Sequence, residues 1–443
     1  MGRVTSHFEQ VKRMIRRPLL ALAALLLAAP LWAASKPSFD DLVANLKSPN
    51  AKTRQEAAAA LAKSRRREAV TPLAALVRDP EYKVRMEVVR ALRDLRDPAA
   101  VPALVTLLGD GEADIRQEAI ATIDEIYSDK ERSGPVGRFL QIFSDEADRT
   151  SIAPYVKVEP SVYEGLAKAL RDENGDVREA AALAIGILGG SGQTRDLVAT
   201  FQDPVPAVRA AAATAVGKVG AQEDGRTLIG LLSDESLEVR NRALQALSVL
   251  RVTEAGPALR QLYEENRRRE WGLRVLETLS KIGDPAQAEL FLQLVQDPDP
   301  ERKRLAVEGL GRISDSSRLP AFKKDYQRER SDDVKLAYAF AISRMGDRAF
   351  LDSIVLSLPS RTLGTRSRGY ILEMGRPILP DLYPYLNDPD AEVRAVLCDI
   401  IGLLGDPDAI PRLEPLVGDP SASVADRANR AIERLRRGNA PAQ

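Results

Sequence analysis

Side chains that usually perform chemistry are scarce in this sequence. Its 443 residues include one Cys, Cys398, and one His, His7. A thiol nucleophile needs a neighbouring base, and a thiolate zinc site needs several thiols or imidazoles. Cys398 lies four residues after Arg394, a place held in similar stretches by Val89, Ile120, Ala182, Ala213 and Leu244, so it reads as a core thiol. Trp271 shares a place with Val84, Ile115 and Val239 and also reads as core. Carboxylates are plentiful, with 64 Asp+Glu against 64 Lys+Arg. The nearest approach to an oxygen-only calcium loop, Asp172-Glu173-Asn174-Gly175-Asp176, aligns with ordinary turns elsewhere in the chain. The expectation is therefore no metal, no cofactor and no enzyme.

The N-terminus reads as an export signal over residues 1–33. Arg13, Arg16 and Arg17 precede an apolar run from Leu19 to Ala29, then Pro30 and the small residues Ala33, Ala34 and Ser35. Cleavage is expected after Ala33 or Ala34, Met14 is a plausible alternative start, and no Cys follows to carry a lipid. The run is short of the ~20 residues that span a bilayer, so membrane attachment would require an uncleaved signal. Removal leaves 59 basic against 63 acidic residues. That balance offers no long-range attraction to phosphate, and no nucleic-acid partner is expected. The localisation expected is secreted or periplasmic.

What must position any site is a repeat. In DPEYKVRMEVVRAL, DGEADIRQEAIATI, DENGDVREAAALAI, DPVPAVRAAAATAV and DESLEVRNRALQAL, Asp79, Asp110, Asp172, Asp203 and Asp234 stand six residues before Arg85, Arg116, Arg178, Arg209 and Arg240. From Arg54 onward these arginines recur at one constant interval, doubled once between Arg116 and Arg178. Gly272, Lys303, Lys335, Gly364, Arg394 and Ala425 then continue the slot. About thirteen units fill residues 34–437, leaving 438–443 as a disordered tail. Each unit reads as two helices, with apolar residues at helical spacing. Asp97-Pro98, Asp284-Pro285 and Asp406-Pro407 mark helix starts, and Gly189, Gly220, Gly283, Gly346, Gly375 and Gly405 are expected as left-handed helix ends.

An apolar helix, an Asp-Pro turn, Val-Arg and an Ala/Leu-rich helix, as in Ala199 to Gly220, resemble the short HEAT-like repeats of the phycobilisome-lyase type over roughly residues 38–437. The resemblance implies an all-α, right-handed α-solenoid with second helices on the concave face, and protein binding as the commonest role. Related HEAT-type proteins include deoxyhypusine hydroxylase, whose metal ligands are His and Glu; a mature chain without His cannot carry those pairs. Physically, a two-helix unit cannot bury its apolar stripe alone, whereas stacked units share one core.

Arg54, Arg85, Arg116, Arg178, Arg209, Arg240 and Arg394 read as a structural ladder, each able to pair with its turn Asp or the neighbouring one. Two places break the pattern. At Arg267, Arg268 and Arg269 the turn Asp is missing and one residue is added, giving a basic patch whose three arginines are partner-binding candidates. The fourth unit, 128–160, has a first helix at Pro135–Asp145 but no second, so its neighbours' core edges are expected to be covered by an irregular segment or left as a groove. Arg149, Tyr155 and Lys157 are the partner-binding candidates there. The favoured function is an exported, non-catalytic scaffold in the cell envelope binding a protein or peptide on its concave face. The alternative is a lyase- or chaperone-like accessory subunit acting on one client protein.

Overall fold

The structure, a computed structural model, describes residues 37–132, 157–220 and 222–438. Every element among them is helical. Twelve second helices stack in sequence order: α1 Ala51–Lys63, α2 Tyr82–Leu95, α3 Ala113–Arg132, α4 Gly175–Ile187, α5 Pro206–Val219, α6 Leu237–Leu250, α7 Glu270–Ile282, α8 Pro300–Ile313, α9 Asp332–Arg344, α10 Gly364–Met374, α11 Ala391–Leu404 and α12 Ala422–Gly438. A shorter first helix precedes each, with most opening on a 3-10 turn. The result is an all-α solenoid.

Local chemistry explains the helix limits. The carboxylates of Asp97, Asp284 and Asp406 accept from the amides of Ala99, Ala286 and Asp408, just ahead of first helices whose leading Pro has no N–H to lose. Asn50, Asn174, Asp299 and Asp390 cap second helices in the same manner. At the other end Gly189, Gly283, Gly346, Gly375 and Gly405 take positive φ as expected, but Gly220 does not: its φ is −74° and the backbone runs on extended. Arg65, Arg96, Arg251 and Ser314 adopt the left-handed end without glycine.

Stacking buries one continuous core, from Leu46 and Ala58 through Leu92, Leu104, Ile185, Val216 and Leu247 to Phe291 and Val307. The last layers form a second cluster around Ile371, Leu397 and Ile401, and the ninth layer contributes to both. Adjacent second helices approach closely where small residues meet. A side chain at Gly186, Gly217, Gly311 or Gly402 would lie 2.7–3.0 Å from the Cα of Ala215, Ala246, Ala341 or Ala431 in the next layer.

The expected gap at the fourth unit is not what the described residues show. Arg116 Nε stands 2.7 Å from Asp172 Oδ2, and its Nη2 donates to Oδ1 at 2.7 Å, a bridge across 56 residues of sequence. Helix α3 packs directly against α4, and Leu108 meets Gly165 on the following first helix, Pro160–Ala169. Among the described residues the third and fourth layers are therefore in direct contact, the rung and both helices of the repeat continuing from one to the next. Gly438, expected in the tail, closes α12. The expected helix at Pro135–Asp145, and Arg149 and Tyr155, lie outside the described residues, as do the export signal at 1–33 and residues 439–443 of the tail.

Candidate protein-binding site

The arginine slot builds the ladder that sets the spacing of the layers. Arg54, Arg85, Arg178, Arg209 and Arg394 each grip an aspartate of the next layer: Asp79, Asp110, Asp203, Asp234 and Asp419. Nε donates to Oδ2 and Nη2 to Oδ1 at 2.6–2.9 Å, the two-point geometry that suits a planar guanidinium. The third nitrogen, Nη1, donates to the backbone oxygen six residues back, such as Asp79 O for Arg85. For Arg85, Arg178 and Arg209 the residue six places back is an Asp that meets the Arg through its carbonyl, while its carboxylate serves the preceding layer. The same carboxylate also accepts from the amide two residues on, as in Asp203 with Val205. These arginines are framework, and Asp172 of the calcium-like loop is committed to Arg116.

The slots filled by glycine have a steric cause. A side chain at Gly272 would lie 2.2 Å from Asn266 O and one at Gly364 2.5 Å from Leu358 O. Those are again the oxygens six residues back, pressed directly onto the helix. Lys303 keeps the pairing in altered form, with Nζ 2.5 Å from Glu329 Oε2.

Residues one, five and nine places after the slot form a stripe along the second helices. In layers four to seven it is open: Glu179, Leu183 and Ile187, then Ala210, Thr214 and Lys218, then Asn241, Gln245 and Val249, then Leu273, Glu277 and Lys281. A hollow of ≈ 390 Å³ spans α4, α5 and α6 over a floor of Gly186, Ala211 and Ala215. Another of ≈ 400 Å³ follows between α6 and α7, and the two share Glu238 and Arg242. The rim charges are mostly answered within their own helices, Arg242 by Glu238 at 2.7 Å and Lys281 by Glu277 at 3.0 Å. Leu183 and Val249, on the stripe, are 39% and 63% exposed. Asn241 Oδ1 is buried in the second hollow without a hydrogen-bond donor.

In layers eight to ten the same stripe is filled by ionic contacts. Glu308, 5% exposed, accepts from Arg304 Nη1 at 2.6 Å, from the Tyr370 hydroxyl at 2.6 Å and from Arg312 Nη1 at 3.3 Å. Arg312 holds Glu373 by two bonds of 2.9 Å and also donates to Ser280 Oγ. The Tyr370 ring stacks on Phe340 at 4.2 Å. Burial works to raise the Glu308 carboxyl, yet Arg312 and Arg304 hold it below the ordinary carboxylate range. Burial drives the Tyr370 hydroxyl well above its usual value.

Arg251, at the end of α6, donates to Glu373 of α10 at 3.1 Å. At ~10 Å per layer, a straight stack would hold those helices roughly 40 Å apart. Their contact requires the array to turn sharply there, with the second helices inside the turn. The expected concave face is thus where the stripe lies, open through four layers and closed by charge beyond them.

Of the other candidates, Lys157 is exposed, ahead of Pro160–Ala169. Arg267, Arg268 and Arg269 are exposed in the turn before α7, and Arg267 leans 3.9 Å from Asp297. Trp271 departs from the core reading: it is partly buried, with the Arg240 guanidinium 5.4 Å from its ring centre. Cys398 is fully buried, and burial pushes its thiol up to about 12. The Glu308 hub was not legible in sequence, because its members come from layers up to two apart whose meeting depends on curvature.

No curated protein matches the sequence. Among solved structures, an engineered protein is similar over 90% of this chain and 98% of its own, at 19% identity and a TM-score of 0.41. YibA of E. coli is similar over 62% and 92%, at 18% identity and 0.41. The complex of CpcE and CpcF of phycocyanin lyase from Nostoc sp. PCC7120 is similar over 57% and 91%, at 21% identity and 0.28. A family model described as HEAT repeats matches residues 39–124, 155–215, 194–277 and 379–442, more than half of the chain. With two-helix layers joined by a repeating Arg-Asp rung, the chain belongs to the HEAT-repeat family.

Proposed function

We propose that this protein is an exported, non-catalytic scaffold that holds a protein or extended peptide along the open stripe of α4 to α7. The observation that carries the reading is the pair of adjoining hollows inside the turn, with small residues on the floor and paired charges on the rim. The exposed Leu183 and Val249 offer apolar contacts, and the unpartnered Asn241 Oδ1 is suited to a backbone N–H of the client. The non-catalytic reading is supported by the burial of the single thiol, Cys398, and by the place of the only imidazole, His7, within the expected signal. The order of charged, apolar and small residues in 1–35 supports export.

The test has two parts. Intact mass of the protein from its native cells should correspond to a chain that begins at Ala34 or Ser35; a chain retaining Leu19 to Ala29 would refute export by cleavage. Thr214→Trp fills the floor of the first hollow without touching the ladder. It should reduce capture of the native client at least tenfold while helical content stays unchanged. Undiminished capture would remove the stripe as the binding surface.

A further inference from the structure

The ladder has a rung to which no described residue supplies a carboxylate. Arg240 is held in the ladder pose, its Nη1 donating to Asp234 O at 2.6 Å and Glu235 O at 3.1 Å. The place that an aspartate holds in the other rungs falls here to Glu265, which turns away and accepts from Gln261 Nε2 at 2.9 Å. Asn266 donates to Leu262 O, and Arg267 leans towards Asp297, whose own slot residue is Gly272. Among the described residues no carboxylate is bonded to Arg240. Its Nε and Nη2, the edge that takes both oxygens of an aspartate in five other layers, are left without one there, and the partly buried Trp271 ring centre lies 5.4 Å from the guanidinium.

We propose that Arg240 and Trp271 form a carboxylate-binding site, completed by an acidic side chain or C-terminal carboxylate of a bound polypeptide. Five filled rungs of the same protein show what this edge accepts: a planar two-oxygen group with donor–acceptor distances of 2.6–2.9 Å. The backbone anchors on Nη1 fix the guanidinium before the ligand arrives, so little side-chain freedom is lost on binding. The guanidinium lies 5.4 Å from the centre of the Trp271 ring, and the exposed Arg268 and Arg269, just before Trp271 in sequence, add positive charge to the same turn. This goes beyond the stripe reading, since Arg240 lines neither hollow and the site stands or falls without any client.

Trp271 is a built-in reporter, because the only other tryptophan is Trp32. The experiment titrates the Trp32→Phe chain with sodium acetate at constant ionic strength and follows tryptophan emission, with chloride and inorganic phosphate as parallel arms. A saturable change with acetate, absent with chloride, is expected. Arg240→Gln should weaken the response at least tenfold while circular dichroism stays unchanged. Asn266→Asp places a carboxylate one position beyond the usual rung place, the spacing at which Glu329 serves Lys303, and should abolish the response by filling the rung from within. An acetate response equal in Arg240→Gln, or none in the parent, would overturn the site. Phosphate binding ten times more tightly than acetate would overturn its assignment to carboxylates. If Arg240→Gln does not fold, Asn266→Asp decides alone, a retained response refuting the proposal.

Discussion

Replacing Glu308 with Gln isolates what charge contributes to the turn of the array. The two side chains match in volume, but the neutral amide would leave Arg304 and Arg312 without the carboxylate they share. Arg312 keeps its two bonds to Glu373, whereas Arg304 keeps only the distant Glu301 at 3.7 Å. Breaking a buried ion pair costs roughly 3–5 kcal/mol. The amide carbonyl, still able to accept from Tyr370 or Arg304, restores about 1 kcal/mol. The expected loss is therefore about 2–4 kcal/mol. Because unfolding of a repeat array is local, the assay is hydrogen exchange of individual amides rather than a single melting curve. Core amides of α8 and α9 should exchange roughly 30- to 700-fold faster at about 1.4 kcal/mol per decade, and those of α1 and α2 should not change. Acceleration below about threefold in α8 and α9 would show that the hub does not hold these layers.

Further outcomes follow from the ladder and the core. Arg178→Ala and Asp203→Ala should each destabilise the fourth and fifth layers by about 2–3 kcal/mol, and the double variant by clearly less than their sum; additive losses in a double-mutant cycle would show that the rung is inert. Asp234 and Asp419 are held below the usual carboxylate range, first by the bonds from Arg209 and Arg394. Their stabilisation is complete above the unfolded value of about 3.9 and is lost as pH falls through the lower folded values. An acid titration of helical content should therefore fall less steeply below about pH 4 in Arg209→Gln than in the parent. Gly217→Val meets the Cα and Cβ of Ala246 at 2.9 and 2.8 Å and should cost about 1–3 kcal/mol in urea unfolding, unlike the same change at the open Gly230. Cys398 should stay unreactive towards a disulfide reagent at pH 8 until denaturant is added.

The paired helices, their caps and the ladder were legible because they rest on local chemistry repeated at fixed spacing. Asp97-Pro98 signals a helix start wherever it occurs, and an Arg six residues after an Asp in unit after unit points to one recurring contact. The direction of that contact was not legible, since the sequence does not tell whether Arg85 meets the carboxylate of Asp79 or that of Asp110. The third and fourth layers mark a related limit: periodicity counts residues, and a double gap looks like a missing unit until Arg116 is found on Asp172. Residue type alone gives Gly220 a left-handed end, whereas there the chain leaves α5 extended. The open stripe is a property of curvature, which gathers residues such as Leu183, Thr214 and Gln245 that carry no signature of their own.

The central claim, that the client lies along the second helices of layers four to seven, is tested most directly by site-specific photo-crosslinking in the native cell. A photoreactive residue at Thr214 or Gln245, inside the hollows, is compared with one at Gln261, exposed on a first helix. One discrete adduct of the same partner is expected from both inner positions and none from Gln261. An adduct from Gln261 with none from Thr214 or Gln245 would contradict the claim.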